Sequence, residues 1–420
     1  MAKSKSGNGS YIRYLFFILM LTQILDTYAT LFNGAIPSVI AGEFLSDKSS
    51  SVQDAIMAFS NGLVSIGMVF LFFSQYLADR LGRKKMLGIT VGGIALASLG
   101  IFISVNYVMY MFFVFCLYFF FSSDIWLIYI NEEVEGNKRA YYSNIVMMVG
   151  LVGAVTMVIF RLIFITETDP FWRGMALFPM VLGFLLCLAI FFTLKEPKGY
   201  REMKESDSFE KRSFKEDIKS IFQIESRKPY MFLLLAVFIR GGSSIYLGLF
   251  EKYIDNVGTL TQEQVTTIFL ITIFMVIIAY GANGLLADRI GRKPLLYIWS
   301  ALAPISVLIW VLGANNTENA YIIVLLGFAL SHISYWGSIG ILRLMTIEML
   351  PTDRRGIGVG FRSLIGAIGG TIGLLTSSVV ILSLDLGPTF IIFVMGNFAV
   401  IPIAYFFLKE TKGVELSEIK

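Results

Sequence analysis

An all-α membrane protein, with twelve transmembrane helices in two pseudo-symmetric six-helix bundles, is the fold class that the sequence predicts. Three observations carry it: apolar runs of membrane length, basic residues crowded into alternate turns, and landmarks that return at nearly one offset. Of 420 residues, 56% are hydrophobic and only 15% charged, whereas a soluble domain carries about 25% charge.

A hydrocarbon core of about 30 Å needs roughly 20 apolar residues per helix. Runs of that length fall near 14–38, 55–77, 86–105, 107–130, 142–165, 172–194, 229–253, 264–286, 295–313, 320–347, 358–383 and 388–408. The first follows a short polar tail without a small-residue cleavage site, so it reads as a retained helix rather than a signal peptide. Lys and Arg crowd the N-terminus, the turns after the even-numbered runs, and the C-terminus, while the odd turns hold little beyond Lys48, Arg173 and Lys252. That asymmetry predicts a multi-pass protein with both termini in the cytoplasm. It also accounts for the net charge of +4 without nucleic acid. Cys116 and Cys187 lie inside apolar runs, so neither a disulfide framework nor a metal-ligand spacing is expected.

Two turns stand out: Asp79-Arg80-Leu81-Gly82-Arg83-Lys84-Lys85, and Asp288-Arg289-Ile290-Gly291-Arg292-Lys293-Pro294. Each sits between spanning runs, where Gly82 and Gly291 let the backbone reverse. Positions 79 and 288 are 209 apart; the pairs Glu133…Arg139 and Glu348…Arg354 are 215 apart; Lys195-Glu196 and Lys409-Glu410 are 214 apart. The chain therefore reads as a duplicated six-helix unit: a bundle over 1–194, a loop over 195–228, and a second bundle over 229–420. Within the loop, Phe214, Ile218, Ile221 and Phe222 at helical spacing suggest an amphipathic segment or a solvated linker helix.

These motifs resemble those of the major facilitator superfamily (MFS), most of all its sugar porter and metabolite:proton symporter branches. The turns match its G-x-x-x-D-R-x-G-R-K/R-K/R loop, complete from Gly284, with Gln75 in place of Gly in the first copy. Glu348-Met349-Leu350-Pro351-Thr352-Asp353-Arg354-Arg355-Gly356 resembles the E-x-x-P-T-x-x-R-G motif. Lys409-Glu410-Thr411-Lys412-Gly413 with Leu416 resembles the P-E-T-K-G-x-x-L tail, Lys replacing Pro. The resemblance implies ion pairs at a cytoplasmic gate, from Asp79, Arg83, Glu133, Arg139, Asp288, Arg292, Glu348 and Arg354, each modest alone.

An ionisable group inside a span costs at least roughly 2.5–3.5 kcal/mol and is by default a functional candidate. Asp26, Asp124, Arg161, Arg240, His332 and Arg343 are such groups. All but Arg161 fall on runs 1, 4, 7 and 10, the helices that line the cavity in the proteins this chain resembles. Arg240 and His332 each lie about 16 Å into their helices. With Asp26 they are candidates for one pocket, joined by Ser243, Ser244 and Trp336, and by Tyr335 and Tyr28 among the abundant aromatics. Asp124 and Arg343 are shallower, a candidate inner gate. Arg161 either snorkels outward or guides anions.

The expected function is alternating-access transport of a small organic solute, as proton-coupled symport of an anionic metabolite, a carboxylate. Arg240 offers a planar fork suited to a carboxylate, and Ile239-Arg240-Gly241-Gly242-Ser243-Ser244 locally weakens the seventh helix. Asp26 is the candidate proton carrier. A neutral sugar or polyol is the alternative, as are antiport and uniport on the same fold. No H-E-x-x-H, G-x-S-x-G or phosphate-loop motif occurs, so an enzyme is not expected. No cofactor or metal is implied. The expected partners are substrate, protons and the lipid bilayer, in a monomer at the plasma membrane.

Overall fold

The computed structural model describes residues 4–70, 77–78, 80–121, 125–133, 139–197, 200–201, 219, 223–224, 226–351 and 355–413. Asp79, Asp124, Arg354, the Arg139 side chain and the loop positions Phe214, Ile218, Ile221 and Phe222 lie outside them.

Among the described residues, eleven helices are long and apolar enough to cross a membrane, and Tyr107–Phe119 is a shorter apolar one. The N-terminal half runs α1 (Ser4–Phe32), α2 (Pro37–Phe44), α3 (Ser50–Val69), α4 (Arg83–Phe102), α5 (Tyr107–Phe119), α6 (Ile125–Glu133), α7 (Arg139–Phe164) and α8 (Leu177–Thr193). The C-terminal half runs α9 (Arg227–Gly242), α10 (Tyr246–Val257), α11 (Gln262–Ile290), α12 (Arg292–Gly313), α13 (Ala320–Met349), α14 (Arg355–Leu384) and α15 (Leu386–Phe407). Large apolar side chains such as Phe192, Val108 and Phe406 remain outward, as a helix in lipid allows because its backbone is satisfied internally.

Two helices are interrupted. After α1 a 3₁₀ turn, Asn33–Ala35, leads into α2, which opens on Pro37; proline cannot donate to a preceding turn but fits a first helical position. The seventh helix breaks between Gly242 and Tyr246, at the Gly-Gly-Ser-Ser run. Its first part packs backbone to backbone on α14: a Cβ on Gly241 would strike the Gly366 carbonyl, and one on Gly373 the Gly242 main chain. Small residues permit such close approach between membrane helices. The repeat and charge pattern did not single out Gly366 or Gly373.

The chain forms two compact units: Met1–Ala35 with Gly67–Lys211, and Ile36–Ile66 with Arg212–Lys420. In the first, α1 lies against α7 so closely that a Cβ on Gly153 would strike the Ile24 carbonyl. In the second, a core of Leu295, Leu296, Trp299, Ile341, Leu342 and Met345 joins α12 to α13. The segment Ile36–Ile66 groups with the C-terminal chain through polar contacts. Glu251 accepts from the Ser38 amide at 2.7 Å, Asn256 donates to Asp54 at 2.7 Å, and Ser51 donates to Asp385 at 2.5 Å.

Candidate functional site

Arg240 stands in the last turn of α9, two residues before the helix breaks, and is 8% exposed. Its Nε donates to Ser338 Oγ and its Nη2 to the Tyr335 carbonyl, while the guanidinium lies 4.0 Å from the Tyr335 ring centroid. All three partners are neutral. Among the described residues Arg240 makes no ion pair. A cleft within the second unit is lined by Arg240 and Tyr335, by Ser243, Ser244, Ser334 and Ser338, and by Tyr246, Ala303 and Asn397. It is narrow, with a cavity volume of about 10 Å³. Arg240, Ser243 and Ser244, singled out from the sequence, thus share one wall region, and Tyr335 faces them from α13.

The other sequence candidates separate. His332, on α13, sets Nδ1 3.1 Å from the Phe328 carbonyl and packs edge-on against the Phe328 ring; it does not line the cleft. Trp336 stands edge-on to Tyr335 and beside Tyr280, also off the lining. Arg343 is half-buried on α13. Asp26 is 3% exposed on α1 and belongs to the first compact unit. Tyr28 is core: fully buried, it donates to the Met175 carbonyl at 2.7 Å and packs on Phe160 and Phe178. Arg161 does not snorkel. It is 0% exposed, and its Nε donates at 2.8 Å to the Ala35 carbonyl, one of the groups freed where the first helix breaks.

The repeated turns form two braces, each inside one unit. Gly82 and Gly291 take φ of +106° and +101°, a region in which a side chain would be strained. In the second brace, Arg292 Nη2 meets Glu348 at 2.7 Å and Nη1 meets Asp288 at 2.8 Å. Thr411 Oγ1 donates to Glu348 at 2.5 Å. In the first, Arg83 Nη2 meets Glu132 at 3.0 Å, and the guanidinium lies over the Tyr200 ring. The carboxylate that meets Arg83 is Glu132, the neighbour of the Glu133 that the sequence spacing sets against Arg139, whose side chain lies outside the described residues.

Glu196 and Glu410 complete these braces. Glu410 accepts from the Arg292 and Lys293 amides at 2.9 and 3.0 Å, and Glu196 from the Lys84 amide at 3.1 Å. Each carboxylate sits on free N–H groups at a helix start, where the dipole favours negative charge. Partial burial pushes the Glu410 carboxyl up, but the amides of Arg292, Lys293, Lys412 and Thr411 outweigh it and hold it below its ordinary value.

Sequence reading missed a second polar cluster, where α2 and the start of α3 meet α10. Glu251 is 0% exposed and accepts from both the Ser38 amide and hydroxyl. Asp54 is 1% exposed. Lys252 is buried too, its Nζ 4.0 Å from Asp255. Glu251 falls inside an apolar run and was legible as an intramembrane charge. Its partner Ser38 carries no sequence signal.

Comparison with known proteins agrees with this architecture. The family model of the Major Facilitator Superfamily matches residues 15–374. The putative metabolite transport protein YwtG of Bacillus subtilis (strain 168) is 25% identical over 379 residues, covering 82% of this chain and 81% of its own. The alpha-ketoglutarate permease of Escherichia coli (strain K12) is 23% identical over 246 residues, 55% of this chain and 53% of that one. A crystal structure of a D-xylose-proton symporter superposes with a TM-score of 0.77 at 16% identity, covering 96% of this chain and 99% of the other; that likeness shows the fold. With its duplicated basic turns, interrupted first and seventh helices and family-wide match, the chain belongs to the Major Facilitator Superfamily and is a membrane transporter, not an enzyme.

Proposed function

We propose that this transporter carries a small organic anion, a carboxylate, together with a proton by alternating access. The observation that carries the reading is Arg240: a buried guanidinium whose partners among the described residues are a hydroxyl, a carbonyl and a ring. Removing a charge from water costs several kcal/mol unless a counter-charge and hydrogen bonds repay it. An incoming carboxylate supplies both, to a group whose planar fork suits it. The alpha-ketoglutarate in one relative's name is such an anion. Asp26, buried on the first helix, is the proton carrier in this reading. The protein works as a monomer in the plasma membrane with both termini cytoplasmic, as the basic turns favour.

Uptake into proteoliposomes tests the reading. Arg240→Ala is expected to lower carboxylate affinity at least a hundredfold, within the roughly 2–5 kcal/mol range for truncating a buried charged partner. Asp26→Asn is expected to abolish accumulation driven by a proton gradient while sparing exchange of substrate. Uphill uptake that survives Asp26→Asn removes the coupling role. A neutral sugar or polyol is the second reading, favoured by the four serines and one asparagine of the cleft. Competition by hexoses but not by carboxylates would select it.

A further inference from the structure

The direction of the hydrogen bonds around the cleft narrows the class of carboxylate, and the narrower class rests on the carboxylate reading itself. Every serine that lines the cleft has already committed its hydroxyl hydrogen. Ser243 donates to the Ile239 carbonyl at 2.8 Å, Ser244 to Gly241 at 2.7 Å, Ser334 to Trp299 at 2.6 Å and Ser338 to Tyr335 at 2.9 Å. A hydroxyl has one hydrogen and two lone pairs, and a carbonyl can only accept. These four groups therefore offer a ligand oxygen lone pairs, not donors. Asn397 spends one of its two amide hydrogens on the Val394 carbonyl and keeps its own oxygen. At the other end Arg240 offers donors, its Nη1 having no partner among the described residues.

We infer that the cargo is a small hydroxy acid, its carboxylate on Arg240 and its hydroxyls donating to the serine oxygens. A plain or keto carboxylate satisfies the guanidinium but brings only carbon or further acceptors to the serine wall. There it forgoes the hydrogen bonds that ligand hydroxyls would donate to oxygens whose own hydrogens are already placed. A neutral polyol satisfies the serines and leaves the guanidinium without a counter-charge. An amino acid carries donors, but its ammonium group would stand beside the Arg240 cation.

The test is thermal stability of the purified full-length protein, since a ligand that binds only the folded state raises it with occupancy. Three matched sets serve: glycerate and gluconate; propionate, hexanoate and pyruvate; glycerol and sorbitol. Glycerate or gluconate is expected to act at a concentration at least tenfold lower than its deoxygenated counterpart. Arg240→Ala removes that response, and Ser243→Ala with Ser244→Ala shrinks the tenfold preference. If propionate, hexanoate or pyruvate matches the hydroxy acids, the inference is overturned while the carboxylate reading stands. If only glycerol or sorbitol acts, both are overturned. A protein indifferent to glycerate and gluconate also overturns the inference. An unchanged preference in the double serine variant, which alters two small side chains and leaves Arg240 in place, does so as well.

Discussion

The two braces descend from one sequence pattern and hold their helices through ion pairs of different burial and geometry. Arg292 is 7% exposed and Glu348 9%; their pair is fork-like, with Nη2 and Nε both on the carboxylate, and Thr411 adds a hydroxyl. Arg83 is buried as well, but the Glu132 side chain is 18% exposed and receives Nε and Nη2 on a single oxygen, while Tyr200 covers the guanidinium. The charges are the same in both halves. Burial and geometry differ, and these decide what a charged pair contributes.

Glu348→Ala leaves the Arg292 charge buried without its main partner, so it is expected to cost about 3–5 kcal/mol. Chemical unfolding in detergent would read this loss. Glu132→Ala is expected to cost less, about 1–3 kcal/mol, because its side chain is less buried than that of Glu348 and meets Arg83 through a single oxygen. An equal or reversed order would show that the two braces are energetically equivalent and that the burial argument is wrong.

Glu410→Gln sharpens the comparison at the helix start, with an expected loss of about 0.5–2 kcal/mol, the range for losing a cap. This one depends on pH. The folded carboxyl lies below its unfolded value of about 4.3, so its contribution is complete above that pH and disappears as the pH falls through the folded value. Melting curves from about pH 6 to pH 3 should show the wild type losing more stability on acidification than Glu410→Gln. Parallel curves would remove Glu410 from the account. The smallest effect belongs to Asp288→Asn, below about 1 kcal/mol: Asp288 pairs with Arg292, but its side chain is 77% exposed.

Much of the candidate site was legible for local reasons. An arginine inside an apolar run is costly wherever it sits, and Gly241-Gly242-Ser243-Ser244 weakens a helix whatever packs on it, so the break beside Arg240 could be placed without coordinates. His332 and Trp336 were selected by the same depth argument, yet they turn to Phe328 and Tyr280. Depth along a helix follows from residue count. The face a side chain points to depends on neighbours distant in sequence. Arg161 makes the same point in reverse: it looked like an outlier, and its Nε donates to the Ala35 carbonyl, 126 residues earlier in the chain.

By itself the sequence determined the apolar spans, the duplicated motifs, the turns at Gly82 and Gly291, and the cost of the few charges inside apolar runs. These follow from composition, chain geometry and the cost of desolvating ions, all of which act locally. Only the tertiary structure decided that Glu132 meets Arg83, that Ile36–Ile66 groups with the C-terminal chain, and that the cleft serines have already given up their hydrogens. Each of these is a choice among partners. Partners are fixed by which faces pack together, and no local rule of the chain contains that information.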